Sequence, residues 1–441
     1  MYARVCFPIS SFNTFTYLIP ETLEKLVVLG SCVNAPINRR LQPGFVVSIQ
    51  LNPEFTGKIL PLDSIRDKEL HIPDELWLTL DWISQYYITP LGRVLKTAVP
   101  NTFMDVYNPR NVQFVQITDV GKYELNNMGT NKPAQKHILS ALSAIDKPIK
   151  VSELINFTSS PHAICRSLYK KGWVNIIKQP QRTDPSESIS LRKPQDITLS
   201  KEQQYAFDKI INADKGFHPY LLHGVTGSGK TEVYLKLAQE IIRNKLSVLV
   251  LVPEISLTPQ VARRFRQAFG HRVALWHSHM TKSEKGWTWK KLKQGDYSIV
   301  VGARSAIFAP LKNLGLIIID EEQEASYKQG DPAPRYHARD VAIIRGKYAG
   351  AIVLLASATP SLESYYIAIQ KKFTLLQLTK RYGKSIYPAV QLINMKQQPF
   401  EQGRPVISHD LINAIQKCIE KSEQIILLQN RRGFSVVQRC M

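Results

Sequence analysis

Residues 220–231 constrain the fold more than any other part of the chain. They read Tyr-Leu-Leu-His-Gly-Val-Thr-Gly-Ser-Gly-Lys-Thr, an apolar strand that enters a Gly-x-x-x-x-Gly-Lys-Thr turn, and a helix is predicted from about Lys230 to Arg243. Glycines let consecutive backbone N–H groups face a polyphosphate, and the N-terminus of a helix adds a partial positive charge. The segment therefore predicts an α/β domain that binds ATP at this turn.

The residues of the turn have distinct expected roles. The Lys230 ammonium should reach the β- and γ-phosphates, and the Thr231 hydroxyl should be a ligand of Mg²⁺. The residues expected to bind the nucleotide from this turn are Gly224, Thr226, Gly227, Ser228, Gly229, Lys230, Thr231 and Glu232.

A second segment supplies acids. Residues 316–323 read Leu-Ile-Ile-Ile-Asp-Glu-Glu-Gln, which is typical of a buried strand that ends in carboxylates. Ligands bind at the carboxyl ends of strands in parallel sheets. Asp320 is therefore expected to hold Mg²⁺ through a water molecule, and Glu321 to orient and deprotonate the water that attacks the γ-phosphate. Lys230, Asp320 and Glu321 are the predicted catalytic residues.

The apolar runs predict the architecture. After residue 199, predicted strands alternate with stretches long enough for crossover helices, so a mostly parallel, doubly wound sheet is expected. These strands are 220–223, 247–252, 298–301, 316–319 and 352–355. The amino-terminal residues predict a small β-rich unit followed by a helix. Its strands are 2–7, 14–19, 32–36 and 45–50, and its helix is about 74–87.

Residues 133–174 predict a winged helix–turn–helix. Short helices at 135–145, 151–155 and 161–171 precede a strand that begins after Gly172. Arg166 and Lys170 lie on the third helix and are its expected DNA contacts. The alternative is that this helix only packs against its neighbours.

Charge and cysteine content indicate the kind of partner and compartment. Lys+Arg number 57 against 36 Asp+Glu, a net charge of +21, which favours a polyanionic partner such as nucleic acid over ordinary solubility charge. The 5 cysteines form no Cys-x-x-Cys pair, which favours a reducing cytoplasm. No leader or membrane-spanning run is recognised, so a soluble cytoplasmic protein without a membrane partner is expected.

Loops at the carboxyl edge of the predicted sheet carry groups suited to nucleic acid. The segments 252–260, 301–305 and 356–360 are rich in small hydroxyl residues, and Arg304 lies within the second of them. Such groups suit phosphate contacts that carry no base information. Each loop taken alone is equally consistent with an ordinary turn.

Several segments together resemble the PriA family of superfamily 2 DNA helicases. They are Lys-Thr-Glu-Val-Tyr at 230–234, Val-Pro-Glu-Ile-Ser-Leu-Thr-Pro-Gln at 252–260, Gly-Ala-Arg-Ser-Ala-Ile-Phe-Ala-Pro at 302–310, Asp-Glu-Glu at 320–322, Ser-Tyr-Lys-Gln at 326–329, Arg-Tyr-His-Ala-Arg-Asp at 335–340 and Asn-Arg-Arg-Gly-Phe at 430–434. The resemblance covers the whole chain. It implies an ATP-dependent 3′→5′ DNA helicase of the primosome that restarts replication at stalled or branched forks.

The resemblance also implies a division into four parts. Residues 1–104 would be a β-rich domain that binds a 3′ DNA end, 105–195 a winged helix and linker, 196–384 a RecA-like ATP-binding lobe, and 385–441 the start of a second RecA-like lobe. Gln203 would lie near the adenine. The segment 327–339 would be an aromatic-rich loop that senses DNA, with Tyr327 and Tyr336 as stacking faces and Arg335 and Arg339 as charges.

Two positions depart from the family pattern. The 3′-end pocket would be formed by Phe15, Thr16, Gly30 and Lys58, but the family usually has aspartate where this chain has Thr16. Threonine can still accept a hydrogen bond from a 3′ hydroxyl, but its oxygen carries no charge to strengthen that bond. The family commonly has histidine where this chain has Gln323, which preserves hydrogen bonding.

The carboxyl end gives a third departure. Cys440 occupies the place of the family's first zinc-binding cysteine, so Zn²⁺ is expected in the full-length family with its other ligands beyond residue 441. We therefore interpret the sequence as an amino-terminal portion of a PriA-type protein. An arginine that the second lobe contributes to phosphoryl transfer would also lie beyond residue 441.

The resemblance implies that the partners are branched and single-stranded DNA, single-stranded DNA-binding protein and primosome proteins. It also implies a monomer in the bacterial cytoplasm that is associated with the nucleoid. Two alternatives remain open. One is a module that binds forks and ATP without productive hydrolysis. The other is a RecG-like superfamily 2 translocase, against which the 3′-end domain and the segment 335–339 argue.

Overall fold

The computed structural model divides the chain into two units, Met1–Tyr382 and Gly383–Met441. The described residues are 1–53, 55, 57–66, 72–103, 111–128, 133–145, 147–158, 160–180, 198–214, 216–253, 260–381, 389–397 and 407–428. The predicted boundaries near residues 104, 195 and 384 lie outside this set.

Short strands form a mostly antiparallel sheet at the amino terminus. The elements are β1 Tyr2–Cys6, β2 Phe15–Leu18, α1 Glu21–Glu24, β3 Cys32–Ile37, β4 Arg40–Gln50, β5 Leu60–Pro61 and β6 Ser64–Ile65. Their order across the sheet is β5-β2-β1-β4-β3-β6. Ala3 and Val5 are both buried, as the two-residue period of β1 requires when one face meets a core. The turn between β3 and β4 holds Asn38 and Arg39 at φ 49° and 61°, which suits a tight hairpin.

Two helices complete the β-rich unit, α2 at Asp74–Tyr86 and α3 at Leu91–Ala98. Leu76, Leu80 and Ile83 recur at helical spacing on α2 and are fully buried, so the predicted helix and its apolar face are confirmed. Helix α3 approaches the end of β1 closely. A Cβ atom added at Gly92 would lie only 1.7 Å from the Phe7 carbonyl oxygen, so this contact requires glycine.

A separate core forms within residues 111–180. Its elements are β7 Asn111–Ile117, α4 Asp119–Asn127, α5 Pro133–Ala144, β8 Ile149–Lys150, α6 Pro161–Lys170 and β9 Val174–Pro180, with a 3-10 turn at Val151–Asn156. The sheet order is β8-β7-β9, and both pairings are antiparallel. The helix predicted at 151–155 is therefore a 3-10 turn, and β7 and α4 add to the predicted helices and wing.

A seven-stranded sheet forms the centre of the next region. Its elements are α7 Lys201–Ile211, β10 His218–Gly224, α8 Lys230–Arg243, β11 Ser247–Leu251, α9 Gln260–Phe269, β12 Val273–Trp276, α10 Lys282–Gln294, β13 Ile299–Gly302, β14 Leu314–Asp320, α11 Ala338–Ala349, β15 Ile352–Ser357, α12 Leu362–Ile369 and β16 Thr374–Leu378. The strand order is β12-β13-β11-β14-β15-β10-β16, and every pairing is parallel. Every residue of β11 is buried, because a parallel sheet is covered on both faces. The predicted doubly wound α/β fold is confirmed.

The sequence did not predict the two edge strands of this sheet. Strand β12 has 4 residues and β16 has 5, and they lie at opposite ends of the strand order. Short strands next to helices give too few residues for a two-residue period to be recognised.

The second unit contributes one long described helix, α13 at His409–Glu420, which Ser408 caps by accepting a hydrogen bond from the Leu411 backbone N–H. The segment 430–434 and Cys440 lie outside the described residues. Among the described residues, no helix is both long enough and apolar enough to cross a membrane.

The β-rich unit packs on the seven-stranded region through α2 and α11. Arg345 of α11 is fully buried, and its Nη2 lies 3.3 Å from Glu75 Oε1 of α2. The same guanidinium donates to the Ile307 carbonyl at 2.5 Å and the Ala309 carbonyl at 2.8 Å. A buried cation is tolerated when a counter-ion and hydrogen bonds compensate its lost hydration. This contact joins the β-rich unit to the seven-stranded region.

The close approach at Gly92 gives a stability prediction. Gly92→Ala should destabilise the β-rich unit by about 1–3 kcal/mol, because the added methyl cannot be accommodated without moving the backbone at Phe7. Urea unfolding followed by tryptophan fluorescence would measure the change. Gly330→Ala is the matched control, since a Cβ there meets no atom within 4 Å and should leave the unfolding midpoint unchanged.

Candidate active site

The phosphate-binding turn joins the end of β10 to the start of α8. Gly227 and Gly229 have φ of 78° and 77°, the left-handed region that glycine occupies without steric cost. A Cβ atom added at Gly224 would lie 2.7 Å from Ser228 Oγ and 3.0 Å from Lys230 Cγ. These three glycines are therefore required by the local geometry, as their spacing in the sequence indicated.

Gln203 supports this turn from α7. Its Oε1 accepts a hydrogen bond from the Ser200 backbone N–H at 2.8 Å, which completes a capping box at the start of the helix. Its Nε2 donates to the Ser228 carbonyl at 2.8 Å, and a Cβ atom at Gly229 would lie 2.4 Å from that nitrogen. Gln203 is buried, and both ends of its amide bind the protein. The structure therefore gives it a role in fixing the turn, while its predicted proximity to adenine stays a prediction.

Asp320 stands at the end of β14, facing α8. Its Oδ1 accepts a hydrogen bond from the Tyr234 hydroxyl at 2.8 Å. Burial raises the pKa of Asp320, although the hydrogen bond from Tyr234 opposes that shift. Burial also raises the pKa of Tyr234 well above its ordinary value, and the nearby Asp320 charge adds to the shift. Asp320 is thus a desolvated carboxylate whose charge a cation would stabilise.

Lys230 and Glu321 approach each other across the same edge of the sheet. Lys230 Nζ donates to the Gly224 carbonyl at 3.0 Å and lies 3.8 Å from Glu321 Oε1. The three predicted catalytic residues therefore meet beside the phosphate turn. Thr231, Asp320 and Glu321 offer hard oxygen donors, and Mg²⁺ is usually bound by one or two carboxylates together with phosphate oxygens. This set of residues fits the expected Mg²⁺·ATP complex.

Gln323 links Glu321 to the neighbouring strand. Its Nε2 donates to Glu321 Oε2 at 3.1 Å, and its Oε1 accepts from the Ser357 hydroxyl at 2.6 Å. Ser357 Oγ in turn accepts from the Thr359 backbone N–H at 2.8 Å. The amide at position 323 therefore joins the Glu321 carboxylate to the loop that follows β15.

The remaining residues predicted to bind the nucleotide lie around the turn. Glu232, in the first turn of α8, pairs with Arg264 of α9. Ser228 is buried, and Thr226 lies in the turn itself. In the predicted loop over 252–260, residues 254–259 lie outside the described residues.

Tyr327 and Tyr336 are both fully buried, which corrects the prediction that they offer stacking faces to DNA. Tyr327 donates its hydroxyl to the Asp320 carbonyl at 2.6 Å. The Tyr336 ring packs edge-on against Phe308, with ring centroids 5.1 Å apart. The sequence did not indicate this burial, because a loop rich in aromatic residues next to an active site can face either solvent or the core.

The arginines predicted to contact DNA have different surroundings. Arg304 donates from Nη1 to the Ser326 and Lys328 carbonyls at 3.2 and 2.9 Å, so it holds the loop that follows the acids. Arg339 is 15% exposed and lies 3.4 Å from Glu322 Oε2. Arg335, by contrast, is 70% exposed and remains a candidate for phosphate contact.

The amino-terminal and winged-helix candidates lie on other surfaces of the first unit. Phe15 is half-buried against Phe7, with ring centroids 5.7 Å apart, and Thr16 is half-buried. Gly30 has φ 77° and lies under Trp77, whereas Lys58 is exposed. Helix α6 exposes both Arg166 and Lys170, whose spacing of four places them on one helix face.

Two residues of the site were not singled out from the sequence. Tyr234 is four residues after Lys230 on α8, so helical spacing alone could have placed it beside the phosphate turn. Glu322 is the third acid of the Asp-Glu-Glu run and is fully buried. Only the tertiary structure identifies which of three adjacent acids points inward.

Two family models match separate parts of the chain. Residues 200–366 match the DEAD/DEAH box helicase, and residues 4–100 match the 3′DNA-binding domain (3′BD) of PriA. The chain is 36% identical to the replication restart protein PriA of Chlamydia pneumoniae and 38% identical to that of Haemophilus influenzae, over 100% and 99% of its length. The resemblance to the PriA family is confirmed. The chain covers 59% of each of these two proteins, so it spans about three fifths of the PriA relatives it matches.

The chain is also similar to a PriA protein from another bacterium and to solved helicase structures. The chain is 32% identical to PriA of Bacillus subtilis (strain 168) and covers 63% of it. RecG bound to a three-way DNA junction is 24% identical with a TM-score of 0.32, over 42% of this chain and 24% of that one. The UvsW helicase from bacteriophage T4 is 16% identical with a TM-score of 0.30, over 62% and 98%. The similarity to PriA proteins lies in the sequence.

The environment of Asp320 gives a testable prediction. Because burial raises its pKa, the folded state loses stability as pH rises from the ordinary carboxyl pKa to the raised one, and this penalty is absent below the ordinary value. Asp320→Asn should therefore raise the Tm at pH 8 by on the order of 2 °C and have no effect near pH 4. The variant should also lose the stabilisation that Mg²⁺·nucleotide gives the unsubstituted chain.

Differential scanning calorimetry across pH would measure both effects. Asp296→Asn is the matched control, since Asp296 is a half-exposed partner of Lys291 and such pairs contribute little. A Tm of Asp320→Asn below that of the unsubstituted chain at pH 8 would contradict the interpretation.

Proposed function

We propose that this chain is the ATP-binding and fork-binding portion of a replication-restart helicase that moves 3′→5′ along single-stranded DNA. The observation that carries the proposal is the meeting of Lys230, Asp320 and Glu321 at one sheet edge, in a chain similar to PriA proteins over its whole length. The adjoining match to a 3′DNA-binding domain over residues 4–100 supports recognition of a fork with a free 3′ end.

The residues of the site suit phosphoryl transfer to water. Backbone N–H groups of the glycine turn and the start of α8 receive the phosphates, and Lys230 exchanges its contact with the Gly224 carbonyl for phosphate oxygens. Thr231 and Asp320 would hold Mg²⁺, which neutralises charge on the β- and γ-phosphates. Glu321 orients the attacking water and accepts its proton. Gln323 keeps the Glu321 carboxylate in place through its amide N–H.

Exposed basic side chains are the proposed DNA-binding groups. The net charge of +21 favours a polyanion, and Lys58, Arg166, Lys170 and Arg335 are exposed on the first unit. These side chains suit phosphate contacts that position the backbone without reading bases. Branched and single-stranded DNA are therefore the proposed substrates.

Further properties of the PriA proteins belong to the same proposal. They include binding of single-stranded DNA-binding protein and primosome proteins, action as a monomer in the bacterial cytoplasm near the nucleoid, and a Zn²⁺ site begun by Cys440. They also include a second-lobe arginine that stabilises the transition state.

A second candidate is a module that binds forks and ATP without productive hydrolysis. The observation that favours it is that the chain spans only about three fifths of its PriA relatives. Phosphoryl transfer in such motors depends on groups from both lobes, whereas nucleotide binding needs only the glycine turn and the acids of the first lobe.

Replacing Lys230 tests the motor. Lys230→Ala should lower ATP turnover in the presence of forked DNA by about 10²–10³-fold, because the charge on the transferred phosphoryl group loses its partner. A coupled steady-state assay measures the rate, and Lys347→Ala, on the exposed end of α11, is the control. Fork binding without turnover in the unsubstituted chain would instead support the second candidate.

Replacing two side chains tests the winged helix. Arg166→Ala with Lys170→Ala should weaken fork binding and reduce the slope of log K against log salt by about two, one for each lost phosphate contact. Fluorescence anisotropy at several salt concentrations measures the slope. Arg243→Ala with Lys347→Ala removes the same charge elsewhere and should leave the slope unchanged. Equal slopes in all three proteins would mean that α6 only packs against its neighbours.

A further inference from the structure

Glu321 occupies an unusual backbone conformation. Its φ is 48°, in the left-handed region that residues with a side chain rarely adopt, and such a conformation persists only where surrounding contacts hold it. Glu321 is also the proposed acceptor of the proton from water. The contacts that hold the next residue, Glu322, therefore bear directly on hydrolysis.

Glu322 is fixed at both its backbone and its side chain. Its backbone N–H donates to the Ala356 carbonyl of β15 at 3.1 Å. Its side chain is fully buried and accepts hydrogen bonds at the start of α12. The donors are the Ser361 backbone N–H at 2.7 Å, the Ser364 hydroxyl at 2.8 Å and the Ser361 hydroxyl at 3.1 Å.

Arg339 supplies a positive charge to this buried carboxylate. Its Nη1 lies 3.4 Å from Glu322 Oε2 and also donates to the Ser361 hydroxyl at 2.9 Å and the Ser364 hydroxyl at 3.3 Å. Its Nε donates to Asp340 Oδ1 at 3.2 Å. The guanidinium is thus committed to the protein interior, and a buried carboxylate without such a partner is strongly unfavourable.

Arg339 also follows directly on the loop after the catalytic acids. Its backbone N–H donates to His337 Nδ1 at 3.2 Å, and the His337 backbone N–H donates to the Tyr87 hydroxyl of the β-rich unit at 3.0 Å. Hydrogen bonds and covalent bonds therefore connect the β-rich unit, the start of α11 and the carboxylate beside Glu321.

We propose that Arg339 and Glu322 form a buried ion pair that positions Glu321 for hydrolysis, and that Arg339 does not contact DNA. Both are positioning residues, since they act through the backbone of Glu321. This inference rests on the proposed ATP hydrolysis. It gives a role in hydrolysis to Arg339, which the sequence predicted to contact DNA, and to Glu322, which had no predicted role.

Kinetics of Arg339→Gln test the pair. Turnover of ATP with forked DNA should fall about tenfold or more in kcat, because small displacements of a catalytic group are costly, whereas KM for ATP and the Kd for the fork stay within about twofold. Arg339→Lys should recover part of kcat. Arg339→Gln combined with Glu322→Gln should recover more than Arg339→Gln alone, because no unpaired carboxylate then remains buried. Arg243→Gln, a 71% exposed arginine, is the control.

Two results would overturn the proposal. One is a weakened fork Kd for Arg339→Gln with unchanged kcat at saturating DNA, which would assign Arg339 to DNA. The other is loss of kcat, Tm and nucleotide affinity together with no recovery in Arg339→Lys or the double variant, which would mean a general structural role.

Hydrogen exchange separates this inference from the proposed function. If the unsubstituted chain hydrolyses no ATP, the proposed function fails for this chain, but the positioning role is still measurable. Amide exchange over 320–324 should accelerate in Arg339→Gln and stay slow in Arg243→Gln, while exchange over 224–231 is unchanged in both. Equal exchange over 320–324 in the two variants would reject the pair as the support of Glu321.

Discussion

The register of three parallel strands is the constraint on which the site depends. Ala356 of β15 pairs with Leu222 of β10 on one side and with Asp320 of β14 on the other. Because parallel strands all end at the same edge, the glycine turn, the Ser357–Thr359 loop and the acids that follow β14 must emerge side by side. One strand, β15, lies between the phosphate turn and the acids, and Gln323 joins the acids to the end of that strand by binding Ser357.

Each acid of the Asp-Glu-Glu run at the end of β14 has a different environment. Asp320 ends the strand and faces Tyr234 and the phosphate turn. Glu321 turns away in a left-handed conformation and reaches Lys230, while Glu322 points inward and anchors the backbone. Successive residues at a strand end point in different directions, so one short segment supplies the proposed metal ligand, the proposed general base and a buried carboxylate.

Much of the fold follows from the sequence, and much of the site does too. Helix α8 spans the predicted 230–243, and the five predicted strands of the parallel sheet are all present, because long apolar runs and the glycine turn are local signals. Burial of Tyr327 and Tyr336 could not be predicted, since it depends on Arg304 and Phe308 from another loop. The pairing of Arg339 with Glu322 could not be predicted for the same reason, because no local signal in the sequence links these two residues and a basic residue near an aromatic loop is typical of a nucleic-acid contact.

The central claim is that ATP and Mg²⁺ bind between the glycine turn and the two acids. A crystal structure with Mg²⁺ and a non-hydrolysable ATP analogue tests it most directly. We expect Lys230 Nζ to leave the Gly224 carbonyl for the β- and γ-phosphates, and the metal to lie between Thr231 Oγ and Asp320. A nucleotide bound elsewhere, or a Lys230 still held by Gly224 and Glu321 beside bound nucleotide, would contradict the account.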